Sequence, residues 1–88
     1  MTVSVGSVVK SQNGRDKENL LVVLSIDGEY LLLADGKRRR VESPKRKKAK
    51  HVVNTNIKAD FGNPITNKNI KKTLARIHSS LESQNSQR

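Results

Sequence analysis

The sequence predicts a mainly β protein: a small, five-stranded, partly closed barrel followed by a C-terminal α-helix. Three observations lead to this prediction. Short apolar and β-branched runs recur in the first 58 residues, two Asp-Gly pairs flank one of these runs, and an Ile/Leu pattern of helical period follows residue 65. Several short strands with turns between them, in so few residues, favour a barrel, because closure protects the edges of a small sheet.

The first half of the chain contains the runs that predict strands. A valine-rich run covers residues 3–9, and a near-continuous apolar run extends from Leu20 to Ile26. A near-continuous apolar run is expected of a central strand that is covered on both faces. Asp27-Gly28 and Asp35-Gly36 flank the run EYLLLA, and Asp-Gly between β-like runs favours a type I′ hairpin. We therefore expect a three-stranded meander here.

The segment after the second Asp-Gly pair carries most of the charge. Residues 37–50, KRRRVESPKRKKAK, contain nine Lys or Arg residues and one Glu, which gives +8 of the formal net charge of +10. Because the segment follows a hairpin turn, we expect residues 37–42 to form a strand. Side chains alternate in a strand, so Arg39 and Val41 should face the core and the other two arginines the solvent.

The next residues predict a loop and the last strand of the barrel. Pro44 lacks an N–H and interrupts the ladder, so Lys45–Lys48 is expected to be a basic loop. A final strand is expected near residues 49–54, AKHVVN. The barrel is accordingly placed at residues 1–57, with a linker at 58–65.

The C-terminal part predicts an amphipathic helix at residues 66–82, followed by a frayed tail at 83–88. Apolar residues recur at spacings of four, three and four from Ile70 to Leu81, the period of one helix face. Thr66 is a predicted N-cap, and Ile65 with Ile70 matches a hydrophobic staple. We expect the helix to pack on the barrel. The alternative is an arm that stays mobile until it docks on RNA or a protein.

The composition limits the kind of function. Eighteen Lys and Arg residues against eight Asp and Glu favour association with a polyanion, either nucleic acid or an anionic membrane face. The absence of cysteine excludes a disulfide framework and cysteine-based zinc sites. The sequence shows neither a secretory signal pattern nor an apolar stretch of about 20 residues, so we expect a cytoplasmic protein.

The sequence contains no recognisable catalytic arrangement. His51 and His78 have no second type of metal ligand at a suitable spacing, and Asp27 and Asp35 are explained as turn residues. No phosphate-binding glycine loop or nucleophile motif is present. We therefore expect a non-catalytic protein with no metal, cofactor or small-molecule substrate.

The concentration of cations predicts nucleic-acid binding. A charge run is usually only a solvated surface, but this many like charges repel one another unless a polyanion relieves them. Tyr30 and Phe61 are the only aromatic residues, which disfavours base stacking and favours phosphate contacts on double-stranded or folded RNA. The residues of this segment that we expect to contact RNA are Lys37, Arg38, Arg40, Lys45, Arg46, Lys47, Lys48 and Lys50.

A resemblance to a known family adds to this interpretation. The stretch VGSVV, the loop GRDK and the apolar strand after it resemble the KOW motif of SH3-like barrels in ribosomal and transcription-elongation proteins. The later DG followed by RRR is similar to the large-subunit ribosomal protein fourteen-e family and its small bacterial KOW-domain relatives. The likeness covers roughly residues 3–56. It implies an SH3-like, KOW-type barrel that binds ribosomal RNA, with Arg15 and Lys17 as further contacts. The family usually has glycine at the position of Glu18.

The sequence therefore predicts non-catalytic binding of structured RNA, either ribosomal RNA or the large ribosomal subunit, by a protein expected to be a monomer. One alternative is a general DNA-binding or nucleoid-binding protein. Another is a protein-interaction module of the translation or transcription machinery, which would use the barrel edge or the apolar face of the helix. A membrane-surface role is disfavoured because the helix lacks Trp or Phe anchors.

Overall fold

One antiparallel sheet and one helix make up the fold. The computed structural model describes residues 3–11 and 20–85, with the backbone alone for 81–85. The strands are β1 (Ser7–Ser11), β2 (Leu20–Asp27), β3 (Tyr30–Ala34), β4 (Lys45–Lys48) and β5 (Val52–Lys58). A 3₁₀ turn (Ala49–His51) joins β4 to β5, and the helix α1 (Asn67–Asn85) follows. The strand order is β4-β3-β2-β1-β5. The predicted mainly β class, with five strands and a C-terminal helix, is confirmed.

Strand β2 is buried on both faces, as its continuous apolar sequence predicted. Leu20 and Val22 belong to one hydrophobic cluster, which α1 covers and which we call the helix-side core. Leu21 and Val23 belong to a second cluster on the opposite face, the inner core. Residues of β1, β2, β3 and β5 all contribute to the inner core, so the sheet curls around it.

Two irregularities in the ladder accompany this curvature. The register of β2 against β3 shifts between Val23 and Ser25, and that of β1 against β5 shifts between Val8 and Val9. In the second bulge Asn56 has a φ of 65°, and the Thr55 hydroxyl donates a hydrogen bond to the carbonyl of Val8 at 2.7 Å. Bulges of this kind bend a strand and increase its twist, which brings the sheet closer to a barrel.

The hairpin predicted at Asp27-Gly28 is present, but its centre lies one residue later. Asp27 pairs with Tyr30, so Gly28 and Glu29 are the two central residues. Gly28 has a φ of 61°, whereas Glu29 does not have a positive φ. A positive φ at the first central residue alone is a feature of a type II′ turn and differs from the predicted type I′.

The prediction of a strand at residues 37–42 is wrong, because these residues belong to the loop between β3 and β4. The amides of Asp35 and Gly36 both donate to the carbonyl of Arg39, at 2.8 and 3.0 Å, and this closes the chain on itself. The predicted basic loop Lys45–Lys48 is instead a strand, which pairs with β3. The final strand begins three residues later than predicted, at Val52.

The helix packs against the sheet, as expected. Its first turn is capped by Thr66, whose hydroxyl accepts the amide N–H of Asn69 at 3.2 Å, as the sequence predicted. Ile70 is fully buried in the helix-side core, and both staple residues belong to that cluster. The segment expected to be a linker also contributes to the core, because Phe61 is only 3% exposed.

Candidate nucleic-acid interface

Residues 37–50, the basic edge, form the β3–β4 loop, strand β4 and the 3₁₀ turn. Because β4 is the last strand in the sheet order, this charge lies along one edge of the sheet. The four successive cations Lys37, Arg38, Arg39 and Arg40 are exposed. The eight contact residues predicted within this segment therefore lie on one continuous unit of the fold.

Asp35 sets the conformation of the β3–β4 loop. Its Oδ1 accepts the backbone N–H of Lys37 at 2.8 Å and that of Arg39 at 3.0 Å. Short-range bonds of this kind are a common use of Asp in turns. The carboxylate is thus bonded to the backbone of the loop, and the backbone that carries the arginines is fixed.

The first turn of α1 holds the same loop from the other side. Gly36 is buried with a φ of 83°, and a Cβ there would lie 2.6 Å from the carbonyl oxygen of Asn67. The side chain of Asn67 accepts the N–H of Val41 at 2.8 Å and donates to Glu42 at 2.6 Å. The methylene Cγ of Lys71 would lie 2.9 Å from the same Cβ, so a further cation lies beside the loop.

Glu42 is the acid of the basic edge, and it is engaged within the protein. The hydrogen bond from Asn67 holds the pKa of Glu42 below its ordinary value, and its own backbone N–H and the nearby Arg40 act in the same direction. Nε of Arg40 lies 3.4 Å from Oε2 of Glu42. The carboxylate therefore stays ionised at neutral pH and offsets mainly the charge of Arg40.

Strand β4 directs alternate cations to opposite faces of the sheet. Lys45 and Lys47 lie opposite Leu33 and Leu31, two members of the inner core, so both lysines are on the inner face. The ammonium of Lys47 donates a hydrogen bond to Oγ of Ser11 at 2.9 Å. Both lysines are half-buried, which brings two charges to the opening of the apolar interior.

A cleft opens between these two lysines and the β3–β4 loop. Its empty volume, including the space at its opening, is about 480 Å³. Two of the residues that line it, Ser11 and Leu21, are buried, at 4% and 7% exposed. The charged residues that line it are Asp35, Arg38, Arg39, Lys45 and Lys47, which together carry a formal charge of +3.

The other face of β4 carries Arg46 and Lys48. The guanidinium of Arg46 lies 3.9 Å from the centre of the Tyr30 ring, and Nζ of Lys48 lies 5.8 Å from it. Both distances are within the range of cation–π attraction. The ring thus orients Arg46 and is itself covered by a cation.

The structure separates the predicted contact residues into three groups. Arg38, Lys45 and Lys47 meet at the cleft, Arg46 and Lys48 lie on the opposite face, and Lys37, Arg40 and Lys50 lie on the loop and the 3₁₀ turn. Arg15 and Lys17 lie outside the described residues.

Sequence reasoning missed two cations and one hydroxyl. Arg39 was expected to face the core, but it is exposed and lines the cleft, because residues 37–42 are not a strand. The helical pattern placed Lys71 on a polar face, yet no local pattern shows that this face adjoins the loop. Ser11 carried no signal of its own, since its role depends on the position of Lys47.

The chemistry of the basic edge is that of a hydrogen-bond donor surface. Lysine and arginine side chains carry donors and no acceptors, so they bind oxygen acceptors such as phosphates and carboxylates. Within residues 3–11 and 20–85, no three His, Cys, Asp or Glu side chains are grouped so as to hold a metal ion. No helix in these ranges has the length and apolarity needed to cross a bilayer.

The fold and the site together define a small β protein with a cationic sheet edge. A search against protein-family models finds no model that matches the chain, and a search of curated protein sequences finds no significant match. The resemblance to KOW proteins accordingly stays a prediction.

Proposed function

We propose that this protein binds structured RNA without catalysis, through phosphate contacts along the basic edge. The observation that carries the proposal is the way the edge is built. Asp35, Gly36 and Asn67 fix the loop, and β4 is paired with β3, so the cations are held near one another by the backbone. Like charges held together in this way raise the free energy of the protein, and a polyanion relieves that cost.

The two aromatic rings support phosphate contacts over base stacking. Phe61 is buried in the helix-side core, and the ring of Tyr30 is covered by Arg46. Proteins that bind single strands by stacking present open aromatic faces to the bases. Phe61 offers no such face, and Arg46 occupies one face of Tyr30, which favours a folded or double-stranded RNA recognised through its backbone and shape.

The resemblance to the KOW family supports ribosomal RNA, or the large ribosomal subunit, as the particular partner. We place the protein in the cytoplasm and expect a monomer to suffice, because the loop and strand that bind phosphate belong to one chain. A general DNA-binding protein would use the same donors, so the test compares the two nucleic acids directly.

The test measures binding of a duplex RNA and of a DNA duplex of the same sequence to the full chain, over a series of salt concentrations. If about six phosphates are neutralised, the log–log slope of affinity against salt is on the order of −4 to −5 for the RNA. Tighter binding to RNA than to DNA at matched salt is the expected result. Equal affinity for both would favour the DNA-binding alternative.

A pair of charge-matched triple variants locates the contact. Lys37→Gln, Arg38→Gln and Arg40→Gln together should weaken RNA binding and make the salt slope less steep by about two to three units. The control replaces Lys58, Lys72 and Arg76, three exposed cations outside the basic edge. If both triple variants lose the same affinity, binding follows net charge alone and the assignment to the basic edge is wrong.

A further inference from the structure

The cleft on the inner face of β4 differs from the rest of the basic edge in depth and in charge. Its lining includes the cations Arg38, Arg39, Lys45 and Lys47 together with the buried residues Ser11 and Leu21. A ligand that reaches Ser11 or Leu21 must therefore enter below the exposed surface of the sheet edge. Arg46 and Lys48, the cations around Tyr30 on the opposite face, are not among the residues that line it.

The groups inside the cleft are arranged for an anion. The ammonium of Lys47 gives one of its three donors to Ser11 and keeps two for a ligand. The carboxylate of Asp35 also lines the cleft, but its Oδ1 already accepts two backbone N–H groups of the loop. Arg38 has another interaction within the protein, so its charge is left out here. Arg39, Lys45 and Lys47 against Asp35 still give a formal charge of +2, which exceeds what a single negative charge would offset.

The depth and the charge together select one kind of phosphate. A phosphodiester within a strand carries one negative charge and is flanked on both sides by nucleotides, which hold it at the surface. A terminal phosphomonoester carries about −1.5 to −2 charges at neutral pH and is attached on one side only. It can therefore enter the cleft while the rest of the strand lies along the basic edge.

We propose that the cleft binds the terminal phosphate of an RNA strand. This inference rests on the proposed function and extends it: the basic edge holds the RNA backbone, and the cleft recognises a phosphorylated end. The chemistry would also suit a free phosphorylated small molecule, so the experiment separates the two sources.

The first arm of the test compares three duplex RNAs of the same sequence that differ only at the ends of one strand. The first ends in a 5′-hydroxyl, the second in a 5′-phosphate, and the third carries a 3′-phosphate. Binding to the full chain is measured by fluorescence anisotropy at near-physiological salt. One of the two phosphorylated RNAs should bind about tenfold more tightly than the RNA with hydroxyl ends. A factor of this size corresponds to one added charge-assisted hydrogen bond. Equal affinity for all three RNAs would overturn the inference and leave RNA binding itself intact.

Two neighbouring lysines provide the matched variants. Lys47→Gln should remove most of the preference for the phosphorylated end, whereas Lys48→Gln should keep it, because Lys48 lies beside Tyr30 on the other face. Both variants lose one charge from the same strand, so both should bind the hydroxyl RNA less tightly. A preference that survives in Lys47→Gln, or disappears equally in both, contradicts the assignment to the cleft.

The second arm uses the unaltered protein, so it does not depend on how a variant folds. Inorganic phosphate is titrated at constant ionic strength while backbone amide signals are followed by NMR. Shifts confined to the residues that line the cleft are expected, namely Ser11, Leu21, Asp35, Arg38, Arg39, Lys45 and Lys47. Phosphate binding in the cleft without binding of any of the RNAs would refute both the RNA-end inference and the proposed function, and would indicate a phosphorylated small molecule instead. No shift at these residues would refute the cleft as a phosphate site.

Discussion

Replacing Gly36 by alanine tests whether the contact between the β3–β4 loop and α1 fixes the basic edge. The φ of 83° is costly for a residue with a Cβ, about 1–2 kcal/mol. The new methyl group would also lie 2.6 Å from the carbonyl oxygen of Asn67 and 2.9 Å from Cγ of Lys71. Separating the loop from the helix to relieve this overlap costs about 1–3 kcal/mol more. The expected loss in the free energy of unfolding is therefore about 2–5 kcal/mol.

Gly28→Ala is the matched control for this change. Gly28 also has a positive φ, 61°, but nothing lies within 4 Å of the position that a Cβ would take. Its replacement should therefore cost only the backbone component, about 1–2 kcal/mol. Both variants are compared with the unaltered chain by urea unfolding followed by circular dichroism, with linear extrapolation to water. If the two variants are destabilised equally, the loop does not depend on its contact with the helix.

Two further predictions concern the same region and the core. Asn67→Ala should raise the pKa of Glu42 toward its ordinary value, since the Asn67 hydrogen bond is the largest cause of the lowering; a ¹³C NMR titration measures this, with Asn69→Ala as the control. The pKa is depressed in the folded state, so this contribution to stability is present above the unfolded-state pKa and is lost as pH falls through the folded-state value. Ile70→Ala should cost about 2–5 kcal/mol and leave a single unfolding transition, because Ile70 is fully buried against the sheet. A helix that melts separately before the sheet would contradict this.

The elements that sequence reasoning predicted well are those whose burial pattern is local. In β2 every position from Leu20 to Val23 is buried, and alternate residues enter the two cores, so an unbroken apolar run identified the strand. The helix was recognised from its apolar period and from Thr66, whose capping bond is made within the first turn. Neither feature depends on distant parts of the chain.

The basic edge was predicted less well because its structure depends on distant contacts. The sequence KRKK has no apolar alternation, and β4 forms only because its backbone pairs with β3. Asp35-Gly36 resembles a hairpin signal, but Asp35 bonds the loop amides and Gly36 lies against Asn67, 31 positions later in the chain. The sequence therefore showed that the cations are close together along the chain, and it did not show how they are arranged in space.

The composition of β4 also affects how variants should be chosen. An edge strand presents unpaired backbone groups that can pair with another molecule, and lysines along it discourage such pairing. Substituting apolar residues for Lys45–Lys48 would remove this protection together with the hydrogen-bond donors of their side chains. Glutamine keeps the strand polar, so a loss of binding in the glutamine variants is not confused with aggregation.

The position of β1 between β2 and β5 has a consequence for the order in which the chain can fold during synthesis. Ser7 of β1 lies opposite Lys58 of β5, so β1 completes its pairing only after β2, β3 and β4 have also been made. The hairpin of β2 and β3 can form from neighbouring residues, whereas the inner core also requires Val52. Non-local pairings of this kind slow folding. A nascent chain that ends before β5 would therefore expose Val9 and Leu33 to solvent, and the apolar interior would close only after the basic edge had been synthesised.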